Sequence, residues 1–234
     1  MVMPVYNGAG YIAWSIGRVI ESLGRWGYRF EVVVVDDGSR DGTLGEALAA
    51  ARGLRCVRVL GYRRNRGKGF AFLYGYRHSR GDVVVLLDSD LDVPPEQVPL
   101  MLRAMEATGA DVVVTNKWHP LSRTRATTLR RLLSRGFNLL VRLLTGLNLQ
   151  DTQTGAKAFK RRVLDTVTPK MHVKRYAFDV ELLLLAAKQG YKIVEVPSLA
   201  ELRLTAAFKP REILNMLLEL LSITYRHGRL SWRP

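Results

Sequence analysis

Runs of apolar residues alternate along the chain with longer segments in which apolar and polar residues mix at helical spacing. Short valine- and leucine-rich runs bounded by turn residues are typical of buried strands, and the mixed segments are typical of helices packed on a sheet. The predicted strands are residues 2–5, 31–35, 56–60, 83–87, 111–115 and 192–196. The predicted helices between them are residues 11–23, 43–51, 69–77 and 95–108. This alternation predicts an α/β fold with a mostly parallel sheet covered by helices on both faces.

Two amphipathic segments follow in the second half of the chain. From residue 129 the apolar residues recur at helical spacing, so the segment is predicted to form a helix with apolar residues on one side and polar residues on another. The apolar side is predicted to carry Leu132, Leu133, Phe137 and Leu140. The polar side is predicted to carry Arg131, Arg135, Asn138 and Arg142. The second segment, 210–226, begins with proline, is rich in Leu and Ile, and is interrupted by Asn215 and Glu219. It falls short of the ~20 apolar residues of a membrane span, so we expect it to lie on a membrane rather than cross one.

Size and charge narrow the class of protein. A chain of 234 residues with 47% hydrophobic content is long enough for one large α/β domain or two small ones. Its 36 Lys and Arg residues against 21 Asp and Glu residues give a net charge of +15, which predicts an anionic partner such as nucleic acid, acidic lipid or a phosphorylated substrate. The single cysteine, Cys56, excludes an intramolecular disulfide and a cysteine-based metal cluster. The first residues read as a strand rather than a secretory signal, which favours a cytoplasmic protein.

Three aspartates follow the predicted strand 83–87 at every second position: Asp88, Asp90 and Asp92. Carboxylates at the end of a buried strand repel one another unless a cation meets them. Alternate residues of an extended chain share a face, so we expect all three to converge on one divalent ion. Oxygen ligands suit Mg²⁺ or Mn²⁺ bound jointly with substrate phosphates. The alternative is an acidic turn that precedes two prolines.

Other polar residues also follow predicted strands, and open α/β sheets bind ligands at the carboxyl ends of their strands. Asp36 and Asp37 end the second strand, where their carboxylates are predicted to contact a nucleotide. The alternative, which is compatible with the first, is a turn followed by a helix cap from Asp41 or Ser39. Lys68 lies between two glycines in NRGKG, residues 65–69, at a strand-to-helix junction that favours phosphate. The spacing of these glycines is not that of a Walker motif.

Two further segments, DTQTGAK (151–157) and RYAFDVE (175–181), place acids beside Gly, Lys and aromatic residues. By itself, each is typical of a loop or a helix start. The sequence has no G-x-S-x-G elbow, and its four histidines are scattered along it. Hydrolase triads and zinc chemistry therefore have no support in the sequence.

An ordered set of motifs resembles the family 2 glycosyltransferases of the GT-A fold. The motifs are PVYN, VVVDDGS, NRGKG, GDVVVLLDSDLD, DTQTGAKAFKR and YAFDVELLLLA. They span about residues 2–200, and the likeness is nearest to dolichyl-phosphate glucosyltransferases and dolichol-phosphate mannose synthases. The resemblance implies a GT-A catalytic domain over residues 1–200, a basic acceptor and membrane segment within it at 117–150, and a C-terminal amphipathic interface helix in 201–234.

The resemblance also implies a site for each substrate. A metal, Mg²⁺ or Mn²⁺, is expected at the D-x-D aspartates Asp88 and Asp90, with Asp92 also facing it. The nucleotide sugar is expected at Pro4, Tyr6, Asp36, Asp37, Lys68, Asp88 and Ser89. The acceptor lipid phosphate is expected at Lys117, Arg130, Arg131 and Lys209. Asp151 is expected to orient the sugar or the acceptor, so the expected catalytic residues are Asp88, Asp90 and Asp151.

The expected reaction is an inverting transfer of a hexose from UDP-glucose or GDP-mannose to a polyprenyl or dolichyl phosphate. We expect it at the cytoplasmic face of an anionic membrane, with the protein bound peripherally. DTQTGAK is nearer to the glucosyltransferases and favours UDP-glucose. An alternative within the family is transfer to a glycan. Departures from the family pattern are Gly8, where an acid usually follows PxYN, and Ala206 and Ala207, where a Ser-Lys pair is typical.

Two other classes of protein explain the sequence less well. A nucleotide-sugar pyrophosphorylase should carry a G-x-G-T-R loop after the first strand, where this chain reads PVYNGAG. A nucleic-acid-binding protein would account for the positive charge but not for three aspartates at the end of a strand. No nucleic-acid partner is therefore expected.

Overall fold

The structure is a computed structural model that describes residues 1–122, 128–200 and 210–230, with the side chains of 128–131, 210 and 211 outside that description. The strands are β1 (Val2–Val5), β2 (Val32–Asp36), β3 (Val57–Gly61), β4 (Val83–Leu87), β5 (Val112–Asn116), β6 (Ala156–Lys160) and β7 (Ile193–Pro197). The helices are α1 (Ile12–Gly24), α2 (Thr43–Ala51), α3 (Lys68–Arg77), α4 (Gln97–Thr108), α5 (Thr128–Thr145), α6 (Arg161–Val167), α7 (Phe178–Lys188) and α8 (Pro210–His227). A short 3₁₀ turn, Thr168–Lys170, follows α6.

The strands form one sheet in the order β3-β2-β1-β4-β6-β5-β7. Strand β6 runs antiparallel to its neighbours β4 and β5, and the other pairs are parallel. The mostly parallel α/β sheet is thus confirmed. The apolar pattern does not predict β6, because its sequence AKAFK carries two lysines. Its first residue pairs with the last residue of β4 (Leu87↔Ala156), which brings the DTQTG segment beside the aspartates after β4.

Hydrophobic residues pack on both faces of the sheet, as the valine-rich strands predict. Along β2, Val33 and Val35 belong to one core with Phe72 of α3. Val32 and Val34 face the opposite core, with Ile12, Met101 and other residues of α1 and α4. Because successive side chains of a strand alternate between faces, a continuous valine run is the pattern of a strand buried on both sides.

The orientation of α5 differs from the predicted one. Asn138, predicted on the polar side, is buried and accepts hydrogen bonds from the backbone N–H and the hydroxyl of Thr152. Phe137 and Leu140 pack against the core as predicted, whereas Leu132 is 69% exposed. The helical period is right, but the polar contact with Thr152 decides which side faces the protein.

Most element boundaries lie within one or two residues of the predicted ones. The predicted 210–226 segment is α8, Pro210–His227, and RYAFDVE contains the start of α7. Within the described residues, no helix has both the length and the apolar character needed to cross a bilayer.

Candidate active site

A cavity of about 390 Å³ lies at the carboxyl ends of β1 and β4. Its walls are formed by Pro4, Val5, Tyr6, Asp37, Asn65, Gly67, Lys68, Asp88, Ser89, Asp90, Arg175, Tyr176 and Glu212. Every residue predicted to hold the nucleotide lines it except Asp36. The strand ends therefore bring these residues into one place, as the parallel sheet requires.

Lys68 and Asp88 form the central charge pair of the cavity. The Lys68 ammonium lies 2.6 Å from Asp88 Oδ1, with both side chains about a third exposed. Partial desolvation lowers the pKa of Lys68, but the carboxylates of Asp88 and Asp179 outweigh it and raise that pKa above its ordinary value. Lys68 is therefore a fixed cation at the first turn of α3.

Asp90 lines the same cavity, in which Lys68 pairs with Asp88 instead. Desolvation by the surrounding protein, followed by the charge of Asp88, raises the pKa of Asp90 to about 6. The chain turns after Asp88: the N–H of Leu91 donates to Asp88 O, and Leu91 has φ of 55°. This turn replaces the extended alternation on which the convergence of three aspartates was predicted.

The backbone N–H of Asp92 donates to Asp90 Oδ1 at 3.1 Å, which ties the two residues together within one loop. Among the residues described, the three aspartates do not place their ligand oxygens within 4.8 Å of one another. The oxygens of Asp88 and Asp90 line the cavity and match the donor set of Mg²⁺ or Mn²⁺. Asp88 and Asp90 fit a metal in this conformation, and the metal contact of Asp92 stays a prediction.

The DTQTG segment explains why a glycine stands beside Asp88. The N–H of Asp88 donates to Gly155 O at 2.9 Å. A Cβ on Gly155 would lie 3.0 Å from Asp88 Oδ2. The segment therefore fixes the first aspartate by backbone contact, and a side chain at this position would crowd its carboxylate.

Asp37 organises the NRGKG loop. Its carboxylate accepts hydrogen bonds from the hydroxyl of Tyr62, the amide of Asn65 and the backbone N–H groups of Arg66 and Gly67. These four bonds fix the loop at the mouth of the cavity. In this conformation Asp37 acts as the anchor of the loop.

The same loop packs closely against the residues that precede α7. The N–H of Phe70 donates to Lys174 O, and a Cβ on Gly67 would lie 2.6 Å from Arg175 Cγ. Gly67 also has φ of 98°, in the region that favours glycine. The two glycines of NRGKG thus permit contact with the 174–178 segment, since a Cβ on Gly69 would meet the ring of Phe178.

Asp36 is buried beneath the first loop. Its Oδ2 accepts from the N–H of Ser39, while Oδ1 has no hydrogen-bond partner among the described residues. The neighbouring residues Asp41, Thr43 and Glu46 accept hydrogen bonds from the backbone of residues 8–10. The predicted turn is present, and Asp41 accepts from the N–H of Thr43 at 3.1 Å, but the N-cap of α2 is Gly42, without a side-chain cap. The nucleotide contacts of Asp36 and Asp37 stay predictions.

A second, fully buried ion pair lies next to the cavity. Lys157 Nζ is 3.2 Å from Asp179 Oδ1, and it donates to Thr154 O at 2.6 Å. Burial lowers the pKa of Lys157 and raises the pKa of Asp179, and each partner opposes the shift of the other. Neither residue stands out in sequence, because the contact joins β6 to α7.

Asp151 lies away from the cavity wall. Its side chain is fully buried, Oδ2 accepts from the N–H of Lys117 at 3.1 Å, and the Lys117 ammonium is 3.7 Å away. Its backbone N–H donates to Glu195. Lys117 and Asp151 are therefore brought together, as two of the predicted acceptor and catalytic residues. The side chains of Arg130 and Arg131, and all of Lys209, lie outside the described residues.

The residues that sequence reasoning missed come from the segment before α7 and from α8. Arg175, Tyr176 and Glu212 line the cavity. Glu219 accepts hydrogen bonds from the backbone N–H groups of Tyr176 and Ala177 at 2.9 and 2.8 Å. The sequence offered one indication of this contact: Glu219 interrupts the apolar pattern of a predicted helix, and a charge at such a position requires a partner.

Comparison with known proteins identifies the family of this chain. Residues 1–168 match the model of the glycosyl transferase family 2. The chain is 29% identical over 207 residues to a dolichyl-phosphate beta-glucosyltransferase of Trichomonas vaginalis, with 84% of this chain and 61% of the relative covered. It is 35% identical over 169 residues to an undecaprenyl-phosphate 4-deoxy-4-formamido-L-arabinose transferase of Pseudomonas fluorescens, with 71% and 48% covered. The chain thus spans about half to two thirds of the length of these relatives.

Solved structures support the fold. Glucosyl-3-phosphoglycerate synthase from Mycobacterium tuberculosis, in complex with Mn²⁺, UDP and phosphoglyceric acid, has a TM-score of 0.74 at 23% identity, covering 98% of this chain and 78% of that one. At this identity the likeness concerns the fold, which is of the GT-A type. With the family match over residues 1–168, it follows that the chain belongs to the glycosyl transferase family 2.

Proposed function

We propose that this protein is an inverting glycosyltransferase that moves a hexose from a nucleotide sugar to a polyprenyl phosphate. The observation that carries the proposal is the cavity in which Lys68 pairs with Asp88 beside Asp90, at the strand ends where such sheets bind ligands. Similarity to dolichyl-phosphate and undecaprenyl-phosphate transferases supports a lipid phosphate as the acceptor. The donor we favour is UDP-glucose, with GDP-mannose as the other candidate.

The donor would lie along the cavity wall. Tyr6, 43% exposed, offers its ring to a base, and Lys68 offers its ammonium to the diphosphate. Asp37 would act indirectly, by holding residues 65–67 in place through the four bonds it accepts. Pro4 and Ser89 would complete the wall between these groups.

Asp88 and Asp90 would hold a divalent metal, Mg²⁺ or Mn²⁺. Their carboxylates are hard oxygen donors, and a cation would stabilise the charged form of Asp90, whose pKa is raised first by desolvation and then by the charge of Asp88. A metal at this place supplies charge that neutralises a departing nucleoside diphosphate. Asp92 shares this loop, since its backbone N–H donates to Asp90, and it stays the third proposed metal contact.

The acceptor needs little activation by the protein. A phosphate monoester has a second pKa of about 6, so it is already an anionic nucleophile near neutral pH. Asp151 is fully buried and lies beside Lys117, so its role would be to position that ammonium for the acceptor phosphate. Arg130, Arg131 and Lys209 are proposed to complete this phosphate site. In-line attack on the anomeric carbon inverts its configuration.

The lipid substrate calls for a membrane surface, and α5 and α8 offer one. Leu132, Leu139 and Leu143 are each at least half exposed along α5. Leu214, Leu218 and Leu221 are each more than half exposed along α8, which packs against α5. Residues 112–150 contain seven basic residues and no acidic one. Exposed leucines bordered by cations suit an anionic bilayer, so we propose peripheral binding there.

A donor and acceptor screen tests the proposal. Purified protein with Mn²⁺ would be given labelled UDP-glucose or GDP-mannose together with polyprenyl phosphate, 3-phosphoglycerate or a neutral glycan. We expect label in the lipid phosphate, with the anomeric configuration inverted, and loss of the product in Asp90→Ala. Transfer to 3-phosphoglycerate or to the glycan, with none to the lipid, would assign a different acceptor to the same chemistry.

A further inference from the structure

A group of two histidines and one glutamate lies outside the donor cavity. His172, Glu181 and His227 place one possible ligand atom each within 4.8 Å of the others. None of them is among the residues that line the cavity. The two histidines are 55 residues apart in the sequence, so the sequence alone does not indicate that they lie together. The fold brings together the segment before α7, α7 itself and the last turn of α8.

The glutamate at the centre of this group is held in place. Glu181 is fully buried, and its Oε2 accepts from the backbone N–H groups of His172 and Val173 at 2.9 and 2.7 Å. Its Oε1 therefore faces the two imidazoles, 2.7 Å from His227 Nε2 and 3.7 Å from His172 Nδ1. The carboxylate is oriented by the backbone before any ligand is bound, as metal-binding carboxylates commonly are.

We propose that these three residues form a binding site for a divalent transition metal, with Zn²⁺ as the best match. Two imidazole nitrogens and one carboxylate oxygen are a ligand set that Zn²⁺ uses, whereas Mg²⁺ and Ca²⁺ prefer oxygen ligands alone. Four tetrahedral bonds of ~2.0–2.1 Å to a metal place the ligand atoms about 3.3 Å from one another. The distance from Glu181 Oε1 to His227 Nε2 would therefore lengthen slightly from 2.7 Å, and the distance to His172 Nδ1 would shorten slightly from 3.7 Å. The His172 side chain is 52% exposed, which leaves the fourth position to water.

The place of this site in the fold gives it a structural consequence. It joins the end of α8 to α7 and to residue 172, only three residues before the cavity-lining Arg175. Earlier on α8, Glu219 caps the backbone of Tyr176 and Ala177, and Glu212 lines the cavity. A metal would therefore strengthen the attachment of α8 to the segment that forms one wall of the cavity, beyond the existing hydrogen bonds of Glu219 and of His227 with Glu181.

Zinc titration of a variant that lacks Asp90 tests the site. In Asp90→Ala with excess Mg²⁺, calorimetry should show one Zn²⁺ bound per chain. Adding His172→Ala should weaken that binding at least tenfold. His78→Ala, which removes an exposed histidine beside Tyr74 on another helix, should leave it unchanged. Co²⁺ in place of Zn²⁺ should give the visible absorption of a tetrahedral nitrogen–oxygen site, lost with His172→Ala.

Thermal unfolding gives a second measurement. In the same Asp90→Ala background with excess Mg²⁺, Zn²⁺ should raise the melting temperature of the protein that carries His78→Ala by more than that of the protein that carries His172→Ala. His172 is half exposed, so its loss should not prevent folding, whereas His227→Ala removes a partner of the buried Glu181. Equal zinc affinity with and without His172, or no saturable binding in the Asp90→Ala protein, would overturn the proposal. Neither measurement depends on glycosyl transfer.

Discussion

The buried ion pair between Lys157 and Asp179 permits a sharp test of how this fold tolerates charge. Lys157→Met keeps the length of the side chain but leaves the carboxylate of Asp179, 5% exposed, without its cation. Removal of one partner of a buried pair costs ~3–5 kcal/mol of stability, because the remaining charge stays desolvated. The hydrogen bond from Lys157 to Thr154 O is lost as well. We therefore expect a loss in this range in urea unfolding followed by far-UV circular dichroism.

The same strand supplies a matched control. Lys160 pairs with Asp111 at 3.3 Å, but its side chain is 32% exposed and Arg162 also contacts Asp111. Lys160→Met should cost no more than about 1 kcal/mol, since an exposed pair contributes little and Asp111 keeps another cation.

The double variant Lys157→Met/Asp179→Leu separates charge from packing. Replacing both members of a buried pair with apolar residues is often close to neutral, so the double variant should be more stable than Lys157→Met. Asp179 also lies in the first turn of α7, where a carboxylate favours the helix by ~0.3–1 kcal/mol, and that part should stay lost. The charge-pair reasoning would be refuted if Lys157→Met lost no more stability than Lys160→Met. It would also be refuted if the stability lost by the double variant equalled the sum of the losses of Lys157→Met and Asp179→Leu measured separately.

Three further predictions concern the metal site, the NRGKG loop and the basic segment. Because the pKa of Asp90 is raised to about 6, its protonation stabilises the metal-free fold below the ordinary carboxyl pKa near 4, and that contribution is lost as the pH rises through 6. Protons should therefore compete with Mn²⁺, so the affinity for Mn²⁺ measured by calorimetry should fall below pH 6. An unchanged affinity at pH 5 would contradict this prediction. Gly67→Ala should destabilise the protein by more than 1 kcal/mol in urea unfolding, since Gly67 has φ of 98° and a Cβ there would meet Arg175. The control, Gly45→Ala at an exposed position of α2, should stabilise the protein by ~0.4–1 kcal/mol. Equal effects of the two substitutions would argue against the close approach of Gly67 to Arg175. Arg130→Ala should raise the apparent KM for lipid phosphate in detergent, where no charged bilayer is present. Arg135→Ala should slow transfer only on anionic liposomes, and its effect should decrease as the salt concentration rises. If both variants lost the same activity in both media, the proposed division between phosphate and membrane contacts would be wrong.

Elements whose character is decided by local pattern were predictable from sequence. Valine runs such as 83–87 are buried on both faces of the sheet, and their ends carry the polar residues that meet in the cavity. The direction of the chain beyond β4 was not predictable in this way. The turn after Asp88, with Leu91 at positive φ, separates Asp92 from the position that strict alternation assigns to it.

Elements decided by distant partners were missed or misplaced. Strand β6 contains Lys157, which is fully buried only because Asp179 of α7 neutralises it. The side of α5 that faces the protein depends on Asn138, whose amide oxygen bonds to Thr152. A residue's own neighbours in sequence carry no information about these partners, so a polar residue at a core position reads as a surface residue.

Helix α8 connects the proposed membrane surface with the donor cavity. Leu214 and Leu218 point to the exterior, while Leu220 is buried in the core on another side of the same helix. On a third side, Glu219 holds the backbone N–H groups of Tyr176 and Ala177 and so fixes the start of α7. Because an 18-residue helix packed in this way moves as one body, a membrane that binds its leucines also constrains the wall to which its glutamate is attached. The interrupted apolar pattern of this segment therefore reflects three different surroundings: one side is exposed and is the side we propose for lipid, one faces the core, and one faces the site.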